Sequence, residues 1–367
     1  MTCRERLIRI FQRKPVDRLP IRICGADPLF PREDWKILYE LIEKYELEII
    51  RSWYPKEDEL PPHPCPIHVY EKNSDRENIK EIHTVIETPK GKLTQIYYKP
   101  VDGSPGYVKK HFIEDVNDAE KYLSIPEQTL LPKIDSYWEV EKKTQNRAML
   151  MISIDETMYS IQRLMGSEKF GLFLYDEREL LHRMMEKSYK EIERVVKYYL
   201  SCNIGDAYGW VGPELCIPPL ASLRDFRDFV FYYDKKIIDL IHEAGKLVWV
   251  HCHGDMKPVI EEFIKMGVDC LNPVEPPPVS KITLKQMAEI SKGKMALDGG
   301  IEDGAFDLLK PEEMEKLVEE TILQVKGSSF ILCPTSSPNT WPTLLPHHKE
   351  NYKTFIETAV KLRYSFF

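Results

Sequence analysis

The stretch that decides the fold is Lys246–Asn272, KLVWVHCHGDMKPVIEEFIKMGVDCLN. It opens on an apolar run of strand length, Lys246–Val250, and turns polar at His251-Cys252-His253-Gly254. Met256–Met266 then carries apolar residues at three- and four-residue spacing, which predicts a helix. Val268–Asn272 is a second strand-length apolar run. Strand, helix and strand in so short a span imply parallel strands joined by a right-handed crossover.

The same alternation extends outward from this unit. Upstream, Leu19–Cys24, Leu47–Ser52, Ala148–Ile154 and Ile204–Tyr208 read as strands, and downstream so do Met295–Leu297 and Phe330–Leu332. Cys3–Phe11, Trp35–Tyr45, Leu180–Tyr199, Leu223–Ala244, Leu284–Ser291, Pro311–Val325 and Lys349–Leu362 read as helices. Eight strands interleaved with helices predict an α/β fold, a (β/α)8 TIM barrel. A doubly wound sheet is the rival, but no GxGxxG follows any strand. Thr84–Thr88 and Lys92–Lys99 flank Pro89-Lys90-Gly91, so residues 84–99 predict a β-hairpin lying outside the main alternation. The whole chain, 1–367, is expected to be one barrel domain.

Composition narrows the function classes. Apolar residues make up 43% and charged residues 30%, as expected of a soluble globular protein. The net charge of -8 is the wrong sign for a general nucleic-acid binder. Apolar runs reach only about six residues, too short for a membrane span. The opening MTCRERLIRIFQRK has no signal-peptide core, so a cytoplasmic location is expected. The eight cysteines form no CxxC pair and are expected to be reduced thiols. Prolines outnumber glycines 27 to 17, and many fall in predicted strand-end loops: Pro213, Pro218, Pro219, Pro273, Pro276–Pro278, Pro334 and Pro338. Proline stiffens such loops by fixing φ.

In a TIM barrel, chemistry sits at the C-terminal ends of the strands. There the sequence places Arg22, Cys24 and Asp27 after the first strand, Asp155 and Glu156 after the third, and Asp206, Tyr208 and Trp210 at the fourth. His251 and His253 follow the fifth strand, Glu275 the sixth, Asp298 the seventh and Cys333 the eighth. His251 and His253, two residues apart, face the same side, while Cys252 faces away. Imidazole, carboxylate and thiolate together suit zinc, so His251, His253, Glu275 and Cys333 form a candidate metal site. The competing reading makes the histidines hydrogen-bonded barrel residues, Glu275 a turn cap and Cys333 a packing thiol. Asp206, Asp298 and Tyr208 are candidate catalytic groups, and Arg22, Asp27, Trp210 and Asp155 candidate substrate contacts. For these too, caps, turns and structural ion pairs are the alternatives.

Lys14-Pro15-Val16-Asp17-Arg18-Leu19-Pro20 resembles the opening signature of the uroporphyrinogen decarboxylase superfamily. Val248–Asn272 is similar to that superfamily's strand-histidine-glycine-helix module, and Leu297–Ile301, Pro311–Glu320 and Glu350-Asn351 follow its pattern. The resemblance implies a TIM barrel. True decarboxylases carry an RQAGRY-type arginine motif, and the matching segment here, Ile21-Arg22-Ile23-Cys24-Gly25-Ala26-Asp27-Pro28, lacks it. The cobamide-dependent methyltransferase branch carries a zinc motif of His-x-Cys, a glutamate in some members, and a distant cysteine. His251, Glu275 and Cys333 match it, while His253 stands where the first cysteine belongs. The branch implies zinc, a methyl-cobamide carried by a corrinoid protein or free, a small methyl acceptor, and in some cases a homodimer. The alternative is a metal-independent decarboxylase or lyase acting on a carboxylated substrate.

Overall fold

The computed structural model describes residues 1–338 and 343–366. Helices α1 (Cys3–Phe11) and α2 (Lys36–Tyr45) precede strand β1 (Ile50–Trp53). Strands β2 (Ile67–Asn73), β3 (Ile79–Thr88), β4 (Gly91–Pro100) and β5 (Tyr107–Lys110) follow, then α3 (Val116–Leu123) and α4 (Asp135–Thr144). From β6 (Met149–Ser153) the alternation is regular: α5 (Thr157–Asp176), α6 (Arg178–Ser201), β7 (Ala207–Val211), α7 (Leu223–Phe226), α8 (Tyr232–Glu243) and β8 (Leu247–His251). It continues through α9 (Ile260–Met266), β9 (Cys270–Val274), α10 (Leu284–Ser291), β10 (Ala296–Ile301), α11 (Gly304–Leu308), α12 (Pro311–Val325), β11 (Phe330–Pro334) and α13 (Pro346–Leu362).

Seven strands form one parallel sheet in the order β1-β6-β7-β8-β9-β10-β11. The side-chain period of two sorts each strand between two cores. Leu150, Ile152, Tyr208, Trp210, Val248, Val250, Leu271, Leu297 and Leu332 pack outward against the helices. Met149, Met151, Ala207, Trp249, Cys270, Ala296 and Ile331 pack inward, where Leu7, Ile10 and Phe11 of α1 close the lower end. Thr2 caps α1 by accepting the Glu5 N–H at 3.1 Å.

The predicted first strand, Leu19–Cys24, is reduced to a single parallel bridge between Ile21 and Leu332. It nevertheless closes the ring into a TIM-type β/α barrel. On one side the Leu332 N–H donates to Pro20 O and the Arg22 N–H to Leu332 O, both at 3.0 Å. On the other the Glu48 N–H donates to Ile21 O at 2.9 Å, while the Glu48 carboxylate accepts the Ile21 N–H at 2.7 Å. Pro20 has no N–H to donate, and a side chain takes one acceptor place of the ladder, so no full strand forms.

The predicted hairpin is present, but longer. β3 and β4 pair from Ile79↔Pro100 to Thr88↔Gly91, and β2 and β5 extend them into a four-stranded antiparallel sheet. β2 is exposed along its whole length, so it carries no hydrophobic period to betray it. Among the described residues, no helix is long and apolar enough to cross a membrane.

Candidate active site at the barrel mouth

The fourth strand runs over Ala207–Val211, three residues later than the sequence suggests. That odd shift swaps its two faces and corrects three expectations. Asp206 precedes the strand and lies at the lower end, bound to Arg4 Nη2 and to the Leu150 N–H, both at 2.8 Å. Tyr208 and Trp210 point outward: the Tyr208 hydroxyl donates to Ile204 O at 3.3 Å, and Trp210 Nε1 donates to Asp234 Oδ2 at 3.1 Å. None of the three reaches the mouth.

The inward residues at the upper strand ends do. Asn272 donates through Nδ2 to the Asp298 carbonyl oxygen at 3.2 Å, which turns its Oδ1 toward His251 Nδ1 at 2.7 Å. The bond makes Nδ1 the protonated nitrogen of His251 and leaves Nε2 with the lone pair. Burial pushes the His251 pKa down to about 4, so the ring is neutral and fit to be a ligand near pH 7. His253 stands edge-on to it, ring centroids 4.7 Å apart. Its Nδ1 lies 3.0 Å from Glu275 Oε1, and the other Glu275 oxygen accepts the Gly254 N–H at 2.8 Å. This hydrogen bond to Glu275 raises the His253 pKa above its ordinary value.

Across the mouth, Cys24 and Cys333 stand near enough for each thiol to act on the other's pKa. The Cys333 thiol, outweighing burial and aided by the Arg22 charge, lowers the Cys24 pKa to about 7, whereas burial pushes Cys333 well up. Beneath them, Arg22 grips Asp298 with Nε at 3.0 and 3.1 Å and Nη2 at 2.6 Å. Trp249 Nε1 donates to the same carboxylate at 3.3 Å. Burial disfavours the Arg22 charge, but Asp298 more than offsets it and holds the guanidinium protonated. Asp298 and Arg22 therefore form a buried floor, not a free acid and a free anion clamp. Asp27 is likewise engaged, by Arg51 at 2.7 and 2.8 Å. Asp155 is exposed and lines a cavity of about 640 Å³ beside the ends of β1 and β6, with Tyr54, Ser153, Leu130 and Tyr199.

Glu214 was missed from the sequence. It lies just beyond the true end of the fourth strand, in Gly212-Pro213-Glu214, and its Oε2 is buried without a hydrogen-bond partner. Burial raises its pKa, and the charges of His253 and Glu275 act on it. Behind it, Glu156 caps α5 by accepting the Met158 N–H at 2.9 Å and the Tyr159 N–H. Burial pushes Glu156 up to about 7 and its neighbour Asp234 well up, so the pair holds a proton between them.

Among the described residues, one trio brings its donor atoms all within 4.8 Å of one another: Asp307, His347 and His348. His348 Nδ1 accepts the Leu345 N–H at 3.4 Å and its Nε2 meets Asp307 Oδ1, so the trio latches the start of α13. The donors at the mouth are spread more widely. Their chemistry still fits a borderline-soft cation: two imidazoles with Nδ1 already anchored, two thiols near each other, and an orphaned buried carboxylate oxygen beside them.

The family model for uroporphyrinogen decarboxylase (URO-D) matches residues 94–359. The chain belongs to the uroporphyrinogen decarboxylase family. Among solved structures, this family member shares its fold with a methyltransferase from Methanosarcina mazei, at TM-score 0.61 and 13% identity, covering 99% of each chain. A B12-independent methionine synthase from Shewanella sp. W3-18-1 matches at TM-score 0.41 and 12% identity, over 76% of this chain and 74% of that one. A search of curated proteins finds no match. Residues 21–28 lie outside the matched span and hold a single arginine, Arg22, already paired to Asp298.

Proposed function

We propose that this uroporphyrinogen decarboxylase family member is a methyltransferase. It passes a methyl group from a methyl-corrinoid, free or carried by a partner protein, to a small nucleophilic acceptor at the barrel mouth. His251, His253 and Cys333 would hold a zinc-type ion, with Glu275 bonded to His253 beside them. The observation that carries the proposal is the Asn272–His251 bond, which fixes a neutral imidazole with its ligating nitrogen free.

A bound zinc ion supplies positive charge that lowers the pKa of the acceptor group it contacts. The acceptor loses a proton and gains the methyl group, whose bond to the corrinoid breaks with its electron pair left on the corrinoid. The chain's residues set the stage. Asn272 keeps the His251 proton on Nδ1, and Glu275 does the same for His253. Arg22 and Asp298 neutralise each other below the thiols and keep water from the floor, where Asp298 is fully buried. The decarboxylase alternative needs a cation free to grip a substrate carboxylate, and Arg22 is already taken.

The test is metal content of purified wild type, His251→Ala and Cys333→Ala, with methyl transfer from methylcobalamin to thiol acceptors measured alongside. About one zinc per chain in wild type, and much less in both variants, is expected. Wild type without stoichiometric metal, or variants with unchanged uptake, would sink the proposal.

A further inference from the structure

We infer that Cys24 is a second sulfur ligand of the barrel-mouth metal site and that Glu275 orients His253 instead of ligating. The assignment rests on the metal-binding function proposed above.

Cys24 is brought to the mouth by the way the ring closes. The closing segment hydrogen-bonds on one side to Leu332, the residue before Cys333, through the Arg22 N–H and the Pro20 carbonyl. Cys24 follows two residues after Arg22, where the closing segment turns. There its thiol is near enough to act on Cys333 and His253 electrostatically. A tight turn holds it in place, with the Ala26 N–H donating to Ile23 O at 3.2 Å. Gly25 in that turn has φ +69°, and a Cβ there would stand 3.0 Å from Ser337 Cβ, so the turn packs directly on the loop after Cys333.

Both Glu275 oxygens are already engaged. Oε1 binds His253 Nδ1 and Oε2 binds the Gly254 N–H. This is the arrangement by which a carboxylate orients a metal-bound histidine, leaving Nε2 for the ion. His251 is anchored in the same manner by Asn272. Both histidines thus offer Nε2, and the sulfur absent at position 253 is supplied from position 24. Two imidazoles and two thiolates are a donor set that would suit zinc. The side chains must draw together when the ion binds. The two buried cysteines at the fifth and sixth strands are turned elsewhere: Cys252 Sγ back to His253 O at 3.8 Å, and Cys270 into the inner core with Met151 and Trp249.

The experiment is cobalt(II) titration of the metal-free full chain, read by the sulfur-to-cobalt charge-transfer band in the near ultraviolet. Zinc affinity is measured in parallel by chelator competition. Wild type, Cys24→Ser, Cys333→Ser and Cys202→Ser are compared, with circular dichroism to verify folding. Expected is a two-thiolate band in wild type and Cys202→Ser, and about half its intensity in each of the other two. Zinc affinity of Cys24→Ser should fall by more than the ~10–100-fold typical of lost outer-shell partners. A full band in Cys24→Ser, with Cys333→Ser reduced, overturns the role of Cys24 and leaves the metal site standing. No cobalt binding by folded wild type overturns both.

Discussion

Replacing Asp298 by Asn leaves the Arg22 guanidinium buried without its counter-charge. In the native barrel the pair is joined by three contacts of 2.6–3.1 Å, with Asp298 fully buried and Arg22 nearly so. Removing one partner of such a pair costs ~3–5 kcal/mol, mostly as an uncompensated buried charge. At ~2.1 cal/mol/K per residue, the 367 residues give an unfolding entropy of ~0.8 kcal/mol/K. The Asp298→Asn variant should therefore melt ~4–6 °C below wild type by calorimetry. Arg22→Met should lose a similar amount. The double variant, Arg22→Met with Asp298→Asn, should lose clearly less than the two single losses added, because neither charge remains buried alone. Single variants melting with wild type, or a double variant whose loss equals the sum, would refute the view of this pair as a mutually neutralised floor.

Three other outcomes are expected. Metal uptake should weaken as pH falls through the raised His253 pKa, because that ring must give up its extra proton to ligate, while His251 stays neutral. Titrating zinc affinity from pH 8 to pH 5 checks this, and a flat profile contradicts it. For the Glu156–Asp234 pair the sign runs the other way. Glu156 is raised to about 7, so its fold-stabilising contribution is complete below the unfolded carboxyl pKa and is lost as pH rises through about 7. The melting temperature of Glu156→Gln relative to wild type should accordingly improve between pH 5 and pH 8; a constant difference argues against a retained proton. Asp206→Ala should lower the melting temperature by removing the Arg4 partner and the Leu150 N–H acceptor, yet leave zinc content unchanged. Loss of metal in a folded Asp206→Ala variant would place that residue at the site after all.

The barrel and its polar strand ends were legible because strong apolar runs end abruptly in polar residues, as at Val250–His251 and Leu332–Cys333. The fourth strand misled for a physical reason. Ile204 is apolar and buried, but it belongs to the turn leaving α6, where Gly205 takes φ +71°. Beginning the strand there put Tyr208 and Trp210 at its end and hid Glu214, which lies just past the real one. The roles of Arg22, Asp298 and Asp27 depended on pairings across 24 to 276 positions of chain, which no local pattern encodes. Cys24 was visible as a strand-end residue, but its partner Cys333 is known only once the ring is closed.

That closure has a consequence for motion. Six of the eight neighbouring pairs around the barrel would have to lose a full ladder to separate, whereas the Pro20–Ile23 stave is fastened on its two sides by three main-chain bonds and one carboxylate. Local opening begins where the fewest bonds must break. Amide exchange at Ile21 and Arg22 should then outpace that of β7–β9, and it is this loosest stave that carries Cys24. An ion clasped between Cys24 and Cys333 would act as a buckle across the seam, so that filling the site and tightening the barrel are one event.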